Sequence, residues 1–214
     1  MEVKEAKATQ NKISSTISLK SEIQGLNKAK TSELLDQIGE LLVEQVLSSV
    51  ADSTSPITGR SFKGLSEEYK ALKKAETGSS EANLDLTGEM LSSLDYKVKG
   101  NTIEIGVFGE DAGKADGHNN FSGKSKLPTR QFLPKEGQLF TSSINKLLQE
   151  TIDSFKADNM SLDESKLQYI NNKKDLYDYL QSEFDGMSRG KIKDLILQSE
   201  LSVSLDKFNL LELL

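Results

Sequence analysis

Between residues 31 and 51 apolar side chains recur at helical spacing: Leu34, Leu35, Ile38, Leu41, Leu42, Val46 and Val50. That period predicts an amphipathic helix. Thr31 or Ser32 is placed to cap its start, and Asp52-Ser53-Thr54-Ser55-Pro56 ends it. Residues 53–64 read as a loop, and "LSEEYKALKK" (65–74) as a short helix with Ser66 as a cap. A polar stretch at 76–83 precedes another short helix at 87–93. The period then changes to two. Leu94, Tyr96 and Val98 alternate with Asp95, Lys97 and Lys99, and Ile103, Ile105 and Val107 alternate with Thr102, Glu104 and Gly106. Gly100-Asn101 between them is a two-residue turn.

Closing that turn with Lys99 opposite Thr102 pairs Val98 with Ile103, Tyr96 with Ile105 and Leu94 with Val107, and sets Lys97 opposite Glu104. All six apolar residues then share one face, which a slip of one residue would invert. A lone hairpin is marginal in water. Its apolar face therefore needs a cover, and the 31–51 helix is the natural one. Residues 109–127, rich in Gly, Asp, Asn, Ser and Lys, read as one long loop. "LPTRQFLP" (127–134) is a short extended piece between prolines. A second amphipathic helix follows, with Ile144, Leu147, Leu148, Ile152 and Phe155 on one side.

Beyond residue 157 the pattern is helical but patchy. Leu167, Ile170, Leu176, Tyr177, Leu180 and Phe184 suggest one or two short helices, and Ile192, Leu195 and Ile196 another after Gly190. The end, "FNLLELL", is too apolar to be left wet. It docks either on its own core or on a neighbouring subunit. The division expected from these patterns is an N-terminal arm at 1–30, an α+β core at 31–156 and a helical C-terminal extension at 157–214. The fold class is α+β: a small antiparallel sheet with a hairpin, packed against long amphipathic helices.

Charge changes the picture at the N-terminus. The chain of 214 residues has a net charge of -6, but residues 1–30 carry six Lys against three Glu. The remaining residues therefore carry a net -9. An arm with Lys4, Lys7, Lys12, Lys20, Lys28 and Lys30 is suited to an acidic neighbour or nucleic acid, or simply to solvent. The acidic total argues against a general DNA-coating role. Aromatics are 6% and Trp is absent, which disfavours a large aromatic-lined ligand pocket. Cysteine is absent, which excludes disulfides, thiolate zinc sites and thiol nucleophiles. No apolar run approaches the ~20 residues that span a bilayer, and the first thirty residues hold no signal-peptide core.

Chemistry is hard to find. His118 is the only histidine, set in "KADGHNNFSG" without further ligands at metal-binding spacing. Glu67-Glu68, Glu110-Asp111 and Asp163-Glu164 are adjacent pairs that do not face each other on a helix. "GEDAGKADG" (109–117) lacks the spacing of a phosphate-binding loop and the hydroxyl after Lys114. Catalytic residues, metal ligands and cofactors are therefore expected to be none.

The motifs in order resemble a known family. Leu65, Ser66, Tyr69 and Lys73 match a Leu-Ser-x-x-Tyr-x-x-x-Lys segment. Leu86, Thr87, Gly88, Leu91 and Ser93 follow a Leu-Thr-Gly-x-Leu-x-x-Ser segment, with Met90 in the usual Leu position. Ile105-Gly106 precedes the loop, Ala115 and His118 match Ala-x-x-His, and Phe121 and Gly123 follow with Ser122 between them. Pro128, Arg130, Phe132 and Leu133 match Pro-x-Arg-x-Phe-Leu. The family's aromatic just before Ala115 is missing. Over about residues 31–156 the chain resembles tailed-phage virion morphogenesis proteins, the neck or tail-completion proteins of the head–tail junction.

The resemblance implies a structural virion protein and not an enzyme, placed in the neck and assembled in the host cytoplasm. It implies a ring of identical subunits, a hexamer or dodecamer, between portal-side and tail-side virion proteins. DNA would pass through its lumen without sequence-specific binding, and no membrane is involved. Ala115, His118, Phe121, Arg130 and Phe132 become candidate interface or loop residues, with Arg130 suited to an ion pair between subunits. Two other readings fit the same chain: a tail terminator capping the tail tube, and a cytosolic adaptor whose helical C-terminus recruits a partner.

Overall fold

The computed structural model describes residues 2–9 (backbone only), 12–23, 26, 28–84, 88–120, 128–159, 162–184, 187–199 and 201–214. By contacts the chain divides into two compact units. One is Met1–Ser18 with Leu35–Leu148, the other Leu19–Leu34 with Gln149–Leu214.

The first unit is built on a four-stranded antiparallel sheet in the order β1-β2-β4-β3: β1 Glu2–Thr9, β2 Lys12–Ser18, β3 Leu94–Lys99 and β4 Thr102–Phe108. The hairpin has the predicted register throughout, from Lys99 opposite Thr102 to Leu94 opposite Val107. Gly100 at the turn has φ 58°, a left-handed value that glycine adopts at no steric cost. The residues put down as a basic arm supply β1 and β2. Ile13 and Ile17 of β2 pair with Val107 and Ile103 of β4, all four fully buried, and extend the apolar face. The lysine count hid this alternation, and a free arm would have left those two isoleucines in water.

Helix α1 (Lys28–Ala51) lays its buried face, including Ile38, Leu42, Val46 and Val50, toward this core. Its contact with the hairpin is close. A Cβ added at Gly39 would lie 2.2 Å from the Tyr96 ring, so the ring packs on bare helix backbone. Burial, with Asp36 and Glu40 of α1 beside it, pushes the Tyr96 phenol above its ordinary pKa. The predicted cover of the ribbon is therefore present. Gly106 is as tightly placed: a Cβ there would lie 2.1 Å from the Ile13 carbonyl oxygen.

On the opposite face Glu104 is nearly buried and accepts hydrogen bonds from Lys12, from Ser14 Oγ (2.6 Å) and from Lys99 Nζ (2.6 Å). Burial alone would raise its pKa, but these donors outweigh it and hold the carboxyl down to about 2. Lys97 sits opposite Glu104 as expected, yet its ammonium lies over the Phe108 ring, 3.9 Å from the centroid.

Helix α2 is Glu67–Thr77, capped by Ser66, whose side chain accepts from the Tyr69 N–H. Helix α3 is Glu89–Ser92. The predicted loop at 109–127 holds for the turn at 109–111 but is overturned at 112–120, which form helix α4 (Ala112–Asn120). Its buried residues Ala112, Ala115 and Asn119 do have helical spacing, but they are small or polar and leave no hydrophobic signature. Residues 121–127 lie outside the described residues.

The second unit has its own core. It takes in the later turns of α5 (Ser142–Asn159), then α6 (Glu164–Leu167), α7 (Lys173–Glu183), α8 (Arg189–Leu197), α9 (Leu201–Lys207) and a 3-10 turn at Leu211–Leu213. Leu176, Leu180, Phe184, Ile192 and Ile196 are fully buried at its centre. The apolar end docks on its own chain: Leu210 and Leu214 are buried, and the Tyr177 hydroxyl donates to the Leu214 carbonyl oxygen at 2.7 Å.

Candidate functional site

Helix α2 carries Tyr69 and Lys73 one turn apart, and helix α4 carries Lys114 and His118 at the same spacing, so each pair shares a helix face. Within the first unit these two faces and Arg130 enclose a cleft of about 80 Å³, completed by Leu65, Leu84, Gly88 and Met90. A wider depression of about 280 Å³ shares Leu65, Tyr69, His118 and Arg130 as walls and adds Ser66 and Pro128.

The cleft is held in shape by polar groups that satisfy backbone. Arg130 is buried, and its Nε and Nη2 donate to the Lys63 carbonyl oxygen at 3.2 and 3.0 Å. The Arg130 N–H donates to the His118 carbonyl at 2.8 Å. Lys73, also buried, donates to the Glu81 carbonyl at 2.6 Å and to the Asn83 side chain, which ties α2 to the segment after it. Leu84 in that segment has φ 59°, a left-handed value that costs a bulky residue about 1–3 kcal/mol and that recurs at functional sites.

Residues 130–134 form a strap sewn down by side chains. Asn119 Oδ1 accepts from the N–H groups of Phe132 (2.9 Å) and Leu133 (2.8 Å), and its Nδ2 donates to the Leu133 carbonyl (3.2 Å). Ser55 Oγ donates to the Gln131 carbonyl and Ser15 Oγ to that of Pro134, both at 2.7 Å. Without Asn119 the N–H groups of Phe132 and Leu133 would be buried unpaired, at about 1–3 kcal/mol each.

The electrostatics follow from the lining. His118 is partly buried, and its Nδ1 is enclosed with no hydrogen-bond partner among the described residues. Burial, then Arg130, then Lys114 push its pKa below the ordinary histidine value, so the ring is neutral near pH 7. Burial also lowers Arg130, with Tyr69 acting the opposite way, but a guanidinium stays charged. Among the described residues no cluster of metal-ligating side chains occurs. Among the described residues the smaller cleft's lining contains no serine, threonine or cysteine, while the wider depression has both Ser66 and His118 in its walls.

Of the candidate residues named from sequence, His118 and Arg130 meet at the cleft. Ala115 and Phe132 are fully buried in the first unit. Phe121 lies outside the described residues, as do Leu86 and Thr87. The hairpin set is placed as expected, with Leu94, Ile103, Ile105 and Val107 buried and Tyr96 and Val98 half-buried. Sequence reasoning missed Asn119, Ser55 and Ser15. The one available signal was the spacing of Ala112, Ala115 and Asn119.

The separate motifs thus converge on one feature: Tyr69, Lys73, Gly88, His118 and Arg130 wall the cleft, while Phe132 and Leu133 anchor its strap. Comparison with curated proteins and with solved structures returned no match. A family model does match, over residues 16–133. It begins within β2, earlier than the resemblance suggested, and ends at Leu133, the last residue bonded to Asn119. Covering more than half of the chain, it shows that the protein belongs to the phage virion morphogenesis family.

Proposed function

We propose that this protein is a neck protein of a tailed phage, closing as a ring of identical subunits that joins the head connector to the tail and lets DNA pass. Family membership carries the reading, since it makes the chain a virion morphogenesis protein. The geometry favours assembly over turnover. The family motifs build a small cationic cleft on a tightly braced platform. Function on such a fold lies in its contacts. A closed ring needs two different complementary patches on each subunit. The cleft is suited to be one of them, with Arg130 and Lys114 as cations facing an acidic group on the neighbour. The net -9 over residues 31–214 suits a lumen that repels phosphate and leaves DNA free to slide.

The test is genetic and biochemical. Particles made without this protein should accumulate as filled heads and finished tails that fail to join, and the protein should be found by peptide identification in complete particles. Native mass spectrometry or negative-stain imaging should show rings, alone or on the connector. Tails of irregular length in its absence would favour the tail terminator. A monomer absent from particles would remove both virion readings and leave the adaptor.

A further inference from the structure

Strand β3 ends the sheet on one side. Lys99 and Thr102 flank a two-residue turn, which makes them a hydrogen-bonded pair. The Phe108 N–H donates to the Ser93 carbonyl at 3.2 Å, in step with that alternation. Asp95 and Lys97 therefore turn their backbone groups inward to β4, and Tyr96 and Val98 turn theirs outward. Among the described residues the one group that meets this outward row is Asp95, whose Oδ1 accepts from the Tyr96 N–H at 2.8 Å.

Proteins guard such edges with prolines, bulges or lysines. β3 has no proline, and it pairs with β4 without a register shift. Both its lysines are drawn inward, Lys97 over the Phe108 ring of β4 and Lys99 to Glu104 of β4 at 2.6 Å. The opposite edge differs. There β1 carries a register shift between Lys4 and Lys7, the irregularity that discourages strand addition.

The charges of β3 say what fits it. Asp95, Lys97 and Lys99 are exposed and alternate with Tyr96 and Val98, so they share one face of the strand. A two-fold axis beside an edge strand sets that strand antiparallel to its copy. With the axis at Tyr96, each Asp95 lies opposite Lys97 of the second copy, and Val98 lies opposite its Leu94. The opposite-charge pair occurs twice, and no like charges face each other.

We propose that β3 is an interface for a second copy of this chain, joined antiparallel through Tyr96 and Val98 with Asp95 set against Lys97. On joining, the Tyr96 N–H passes from Asp95 to the backbone of the second copy, and the released carboxylate meets the ammonium. The join stands apart from the proposed ring, since a two-fold contact closes on itself and a ring needs other contacts.

Cysteine is absent from the chain, so introduced thiols report without background. Full-length Asp95→Cys and Lys97→Cys are mixed under mild oxidation. One Asp95–Lys97 pair survives in the mixed dimer while the other becomes a disulfide. The mixture should cross-link at least about tenfold faster than Lys74→Cys, an exposed position on α2, because the join raises the effective concentration of the thiols. In wild type the Val98 amide should exchange quickly when dilute and at least about tenfold more slowly when concentrated. Asp95→Lys, which sets lysine against lysine, should remove that concentration dependence. A mixture that cross-links no faster than Lys74→Cys would overturn the proposal. So would Val98 exchange that does not change with concentration. Rings in which the Val98 amide exchanges as fast as in the dilute chain would also overturn it, while leaving the proposed function in place.

Discussion

The β3–β4 hairpin and the α4–strap pair follow one another in the chain, yet they owe their structure to different causes. The hairpin carries its instructions locally. Alternation of period two, a Gly-Asn turn and six apolar residues on one face leave it a single workable register, and that register is the one observed. Helix α4 has no such pattern. It buries Ala112, Ala115 and Asn119, and holds its partner strap through amide hydrogen bonds fourteen residues away, from Asn119 to Leu133. Local periodicity thus makes the platform, while long-range polar bonds make the cleft. Substitutions in each region should separate the two.

The largest effect is expected at Asn119. Asn119→Leu keeps the volume but strands the two buried N–H groups of Phe132 and Leu133, for a loss of about 4 kcal/mol in chemical denaturation. Gly39→Val should cost about 3 kcal/mol, because its side chain would collide with the Tyr96 ring. Adding Tyr96→Ala to that variant should recover part of the loss, since the collision is removed. A double-mutant cycle with no coupling between the two positions would mean that α1 does not cover the ribbon.

Glu104→Gln should cost about 2 kcal/mol at neutral pH by weakening bonds from Lys12, Lys99 and Ser14. It also tests a pH dependence. A carboxyl held at about 2 when folded, and near its ordinary value of 4.5 when unfolded, stabilises the fold above that ordinary value. That stability is lost as pH falls toward 2, and the variant should lack this component. The smallest effect belongs to His118. Its pKa is lowered in the fold, so the unfolded chain takes up the proton first and stability declines as pH falls below about 6.5. His118→Gln should flatten the curve of stability against pH in that window.

The same division explains what could be read from the sequence. The stripe of α1, the Ser66 cap of α2 and the hairpin register were all legible, because each depends on residues near one another in sequence. The lysine count around Ile13 and Ile17 masked β2. With β2 unseen, Glu104 seemed to have only Lys97 opposite it, whereas Lys12 and Lys99 hold it. The cleft was legible only as scattered motifs. Ser15, Ser55 and Asn119 look like surface residues in sequence, and their role appears only when the strap carbonyls and N–H groups they satisfy come into reach. The end of the chain left two docking choices open, and the Tyr177–Leu214 bond places it on its own core.

Hydrogen exchange of backbone amides, followed residue by residue in wild type and in Asn119→Ala, tests the central claim most directly. If long-range amide bonds hold the cleft while local patterning holds the platform, the variant should lose protection across 112–120 and 130–133 and keep that of 94–108. Equal loss of protection in both regions, or a helix α4 as protected as before, would contradict it.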